Sequence, residues 1–120
     1  MATSQIPGLS LFIKDMSLAA TGFVKFRGGL MLQWVTLAGQ SYTPTVWENG
    51  SYQNYVMGNW PKAFASLYVS WASATASQLF CALSGCTASS AGTVRAYSLS
   101  KTWTGSNLKL MLVGIGRWTG

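Results

Sequence analysis

The sequence holds no histidine and only two carboxylates, Asp15 and Glu48, in 120 residues. Without imidazole there is no His-based triad and no His-ligated metal. Glycosidic hydrolysis calls for a positioned pair of carboxyl groups, whereas Asp15 and Glu48 lie far apart in sequence and in unlike surroundings. Two cysteines, Cys81 and Cys86, with no His beside them do not make a zinc site. The glycine-rich stretches lack the Lys-Ser/Thr pair or the helix that a phosphate loop or dinucleotide fingerprint needs. The expectation is a chain that is not an enzyme and carries no metal and no cofactor. A depolymerase acting through Glu48 is the least favoured of the readings retained.

Long apolar runs are also missing. None reaches the length of a membrane-spanning helix, so no membrane insertion is expected. The opening MATSQIPGLSLFIKDM places Pro7, Gly8 and Lys14-Asp15 where a secretory leader would have its apolar core. An unexported chain keeps its thiols reduced. Cys81 and Cys86, which flank Gly85, could close a small disulfide loop or stay free, and the missing leader favours free thiols with Cys81 in the core.

Charge is scarce as well: 8% of residues, with eight Lys and Arg giving a net charge of +6. A positive surface attracts anionic partners in a salt-dependent manner. The basic residues are scattered singly, however, with no Lys/Arg run, zinc spacing or RNP-like block, so nucleic acid is not the expected partner.

What is present is apolar and aromatic residue (49% and 13%) among Gly, Ser and Thr, a mix suited to strands and turns. The length suits one core. So little charge on so small a domain implies that part of its surface meets another chain, which points to a homo-oligomer.

The chain is organised around Phe23 to Leu37, FVKFRGGLMLQWVTL. Leu30, Leu32, Trp34 and Thr36 alternate with Met31, Gln33, Val35 and Leu37, the period of a strand, and the segment reads as buried on most of both faces. Gly28-Gly29 lets Phe23 to Arg27 fold back as a partner. Residues 1–21 read as a connector with one short strand, suggested by Leu9, Leu11 and Ile13, and residues 22–120 as the domain. Between Ala38 and Tyr55, Pro44 and the Asn49-Gly50 pair signal a long loop or hairpin. Further strands are predicted at Leu67–Trp71, Gln78–Leu83, Thr93–Leu99 and Leu108–Trp118. In the strand at 93–99, Val94, Ala96 and Ser98 oppose Arg95, Tyr97 and Leu99. Gly114 and Gly116 mark places where a neighbouring backbone or ring comes close. The fold class is all-β, an antiparallel β-sandwich of about six to eight short strands.

Aromatic rings beside amides and hydroxyls suit carbohydrate, with rings stacking on a pyranose face while amides bond its hydroxyls, a chemistry commonly carried on loops. Trp34, Phe64, Trp71 and Trp118 hold core-like positions. Trp47, Tyr52, Trp60 and Trp103 lie in or beside loops and are the candidate stacking rings, with Glu48, Asn49, Asn54 and Asn59 as polar neighbours. Trp47 and Tyr52 read equally as cross-strand partners on the hairpin.

The block GFVKFRGGLMLQWV resembles the G-Y-x-K-L-P-G-G-L-I-x-Q-W-G signature that opens the C-terminal domain of Mu-like and P2-like phage tail fibres. The run YVMGNWPKAFASLYVSW resembles that family's strand ending in a P-x-A-F corner, and LKLMLVGIGRW is similar to its closing W-x-A-I-G-Y strand. Arg27 stands where the family has Pro, Val35 replaces a Gly, and Leu112 and Gly114 replace Trp and Ala. The resemblance implies a homotrimeric tip domain at the distal end of a fibre in the virion, assembled in the host cytoplasm and binding a bacterial surface glycan, typically lipopolysaccharide. A structural fibre module or trimerisation cap without a ligand of its own is the alternative. Either way, the matching motifs read as scaffold.

Overall fold

The computed structural model describes residues 12–119. Leu9 and Leu11 of the expected first strand lie outside them. Two strands of 13 residues, β3 (Leu30–Tyr42) and β9 (Gly105–Arg117), run antiparallel along most of their length and carry the larger sheet. On one side β3 pairs with β2 (Gly22–Phe26), which pairs in turn with β1 (Ile13–Ser17); on the other, β9 pairs with β6 (Ser66–Ala74). The smaller sheet has the order β4 (Thr45–Trp47), β5 (Gly50–Asn59), β8 (Ser90–Ser98), β7 (Phe80–Ser84). All neighbours are antiparallel and no helix occurs among the described residues. The result is a β-sandwich of nine strands measuring 52 × 29 × 18 Å. β1, from the segment read as a connector, is hydrogen-bonded to β2 as an edge of the larger sheet.

Period two decides what each strand buries. On β3 the core face is Met31, Gln33 and Val35, with Tyr42 at the far end; Leu32, Trp34 and Thr36 are only half-covered and Leu30 is exposed. The strand is thus buried on one face, not on most of both. Leu110 and Leu112 of β9 sit opposite Leu37 and Val35 and meet Tyr55, Val94 and Ala96 of the smaller sheet in one core.

Residues of the recognised motifs hold the sandwich together. Gln33 is fully buried, and its amide accepts from Lys62 N (2.8 Å) while donating to Lys62 O, so one side chain satisfies both backbone groups of the corner that follows Pro61. Trp118 donates Nε1–H to Phe26 O and its backbone N–H to Gly29 O, both at 2.8 Å, which ties the end of the chain to the glycine turn. A Cβ on Gly114 would stand 2.6 Å from the Trp60 ring, so the glycine is there to let that ring lie on β9.

Two strand readings change. Tyr68 is an extra residue between Leu67 and Val69 in the pairing with β9. This bulge reverses the alternation of β6, so Leu67 faces the core while Val69 and Trp71 face outward. Trp71, expected in the core, is 47% exposed. Of the loop-or-hairpin reading for Ala38 to Tyr55 the hairpin holds, formed by β4 and β5, but β3 runs on into the segment as far as Tyr42 through register shifts near Gln40. The strand count accordingly rises to nine.

Candidate functional site

The outward face of the smaller sheet is polar and aromatic for a local reason. β8 alternates Val94, Ala96 and Ser98, which are buried, with Thr93, Arg95 and Tyr97, which are not. β5 alternates buried Ser51, Tyr55 and Met57 with Tyr52, Asn54 and Val56, and Gln53 belongs to the inward set. Register then fixes the neighbours on the surface. Tyr52 lies opposite Tyr97, which lies opposite Phe80; Asn54 lies opposite Arg95, which lies opposite Ala82; Thr93 lies opposite Ser84.

Arg95 is the centre of this face. Its Nε–H donates to Asn54 Oδ1 at 2.7 Å, and its guanidinium carbon sits 4.6 Å from the centroid of the Tyr52 ring, within the range of a cation–π contact. Tyr52 and Tyr97 are themselves 6.5 Å apart, centroid to centroid. Among the described residues no protein group takes the two terminal NH2 groups of Arg95. On one side a shallow cavity of about 350 Å³ is lined by Asn54, Ala82, Ser84, Thr93, Arg95 and Tyr97. On the other, about 210 Å³ opens between Trp47, Tyr52, Arg95 and Tyr97. Both share Arg95 and Tyr97, so the face carries one groove with a guanidinium at its middle.

The sequence-derived candidates are divided by the fold. Trp47, Tyr52 and Asn54 meet in the groove, and Glu48 and Asn49 form the exposed turn beside Trp47. That turn is one residue earlier than Asn49-Gly50: Trp47 pairs with Gly50, and Tyr52 pairs with Thr45. Trp47 and Tyr52 are therefore diagonal neighbours on one face and not direct cross-strand partners. Asn59 is exposed at the other end of β5, roughly 30 Å from the turn at about 3.3 Å per residue. Trp60 leaves the candidate set. It is 4% exposed, packs edge-on against Phe64 at 5.2 Å and donates Nε1–H to Thr87 O at 2.9 Å. Trp103 packs on Tyr42, centroids 5.4 Å apart, and lies against the core away from the groove. Arg95 and Tyr97 were missed, although the alternation across 93–99 placed both on the face opposite Val94; the preference for loops over strands hid them.

The rest of the chemistry is quiet. Asp15 is on β1 of one sheet and Glu48 on a turn of the other. No cluster of three metal-ligating side chains occurs among the described residues. Both cysteines are free thiols, and burial pushes the Cys81 thiol up from its ordinary value. Tyr55, whose hydroxyl donates to Ser41 O at 2.9 Å, is pushed up to about 12, first by burial and then by Tyr42 and Cys81.

The β-sandwich fold is shared with two solved tail-fibre fragments. An N-truncated R1-type pyocin tail fibre superposes with a TM-score of 0.64 at 17% identity, over 85% of this chain and 84% of that one. The R1 pyocin fibre of P. aeruginosa comprising C-terminal residues 323–701 gives 0.62, again at 17% identity and over 85% of this chain, which spans 27% of that longer fragment. No family model matches the sequence, and no curated protein does. The likeness is thus one of architecture, and the comparisons do not confirm the resemblance to Mu-like and P2-like fibres.

Proposed function

We propose that this chain is the receptor-binding domain of a phage-type tail fibre, without enzymatic activity, and that it binds a bacterial surface glycan on the outward face of the smaller sheet. Lipopolysaccharide is the preferred glycan. The observation that carries the reading is the groove itself: three rings, Trp47, Tyr52 and Tyr97, stand around Asn54 and Arg95 on an architecture shared with pyocin tail fibres. Rings cover the apolar face of a pyranose, and the amide and guanidinium bond its hydroxyls. The net charge of +6 draws the domain toward an anionic cell surface.

The same reading assigns the opposite face to assembly. On the larger sheet, Leu32, Ile115 and Val69 form one outward row, and Trp34, Val113 and Trp71 the next. Val69 and Trp71 are exposed in the single chain. In a homotrimer sister copies cover these rows, while the groove, on the other sheet, stays open at the distal end of the fibre.

Labelled protein incubated with a panel of Gram-negative cells and their purified lipopolysaccharides tests this. The double substitution Trp47→Ala, Tyr97→Ala should abolish adsorption while leaving thermal unfolding and oligomeric state intact. Undiminished adsorption would instead support a structural module whose groove has no ligand.

A further inference from the structure

We infer that the groove selects an acidic saccharide, a sugar bearing a carboxylate or a phosphate, and that Arg95 is the residue that reads the charge. The inference rests on the glycan reading above and narrows its ligand class. Three features of the groove lead to it.

First, the charge of Arg95 is not compensated. Its contacts are a neutral amide and a neutral ring, Asn54 and Tyr52, and among the described residues neither carboxylate of the chain is paired with it. Glu48 is in the turn beyond Trp47, and Asp15 is on the other sheet. Second, the guanidinium is held in place. The Nε–H bond to Asn54 and the stack on Tyr52 use one edge and one face, leaving the pair of terminal NH2 groups as a fork. A fork of parallel N–H donors is the group that oxyanions bind in bidentate fashion, and fixing it beforehand removes part of the ordering cost of binding. Third, the cavity that Arg95 lines is also lined by the hydroxyl residues Ser84, Thr93 and Tyr97. Hydroxyls can donate to an oxyanion, and no acidic side chain lines either half of the groove to repel one. A flat ring next to a fixed cation suits a pyranose with an acidic substituent.

The experiment is an amide-resolved NMR titration of the full chain with glucose, galactose and mannose, each compared with its 6-carboxylate and 6-phosphate. Both acidic series should shift the amides of Asn54, Ser84, Arg95 and Tyr97 and bind about tenfold more tightly than the neutral hexoses at low salt, an advantage that shrinks at high salt. Arg95→Gln should reduce the acids to the level of the neutral sugars, and Tyr97→Ala should weaken all alike. A carboxylate-only or phosphate-only response would identify the source of the charge and support the inference. Neutral and acidic sugars binding this face equally, or acids unaffected by Arg95→Gln, would overturn the inference and leave the glycan reading standing. If no sugar perturbs this face, the inference and the glycan reading of the groove fall together.

Discussion

Gln33 shows how one side chain can carry a motif's meaning. It was legible as part of a signature and as a strand residue, but its partner, the backbone of Lys62, is 29 residues away and cannot be read from periodicity. Replacing it with leucine keeps roughly the volume and removes the partner of the part-buried Lys62 N–H and C=O. We expect Gln33→Leu to destabilise the domain by about 2–4 kcal/mol in urea unfolding, more than a typical surface change. Tyr55 gives a prediction in pH. Its folded value of about 12 lies above the ordinary 10.0, so its contribution is fully present below pH 10 and is lost as pH rises through about 12, because the unfolded tyrosine ionises first. Unfolding free energy measured from pH 8 to 12 should therefore fall over the upper two units. In Tyr55→Phe, which also loses the bond to Ser41, that decline should be shallower from a starting point about 1 kcal/mol lower.

Strands with clean alternation were readable, and β8 and β9 are where the sequence places them to within a few residues. Where the pairing slips, reading failed for a physical reason. The bulge at Tyr68 turns Trp71 outward, because one added residue exchanges the two faces of everything that follows. β5 was hidden because its inward residues include Ser51 and Gln53, which are satisfied by bonds: Ser51 by Tyr42 and Ser100, Gln53 by Thr43. The β4–β5 hairpin depends on Gly50, whose φ is +152° and whose Cβ would lie 2.1 Å from Ser98 O. Gly50→Ala should push the hairpin off β8 and destabilise the domain by more than about 2 kcal/mol. Trp47 should lose its place beside Tyr97, seen as new exposure in tryptophan quenching.

The molecule as a whole has two unlike outer faces, and this asymmetry was only partly visible beforehand. Scarce charge pointed to self-association, and the face proposed for it carries Val69 and Trp71, half-exposed on an edge strand. Val69→Lys combined with Trp71→Lys should leave only monomers in light scattering where the proposed trimer is otherwise expected, without unfolding the chain, since both side chains point away from the core. Of the candidate rings sought in or beside loops, Trp47 and Tyr52 are carried on strands, where the sheet brings them to one face, whereas Trp60 and Trp103 lie outside the strands.

The central claim is that recognition belongs to the outward face of the smaller sheet, and hydrogen exchange measured on the chain with and without bound lipopolysaccharide tests it most directly. The account predicts slowed exchange in β5 and β8 around Tyr52, Asn54, Arg95 and Tyr97, with β6 and β9 unchanged. Protection confined to the face of Val69 and Trp71, or to the neighbourhood of Trp103, would contradict it.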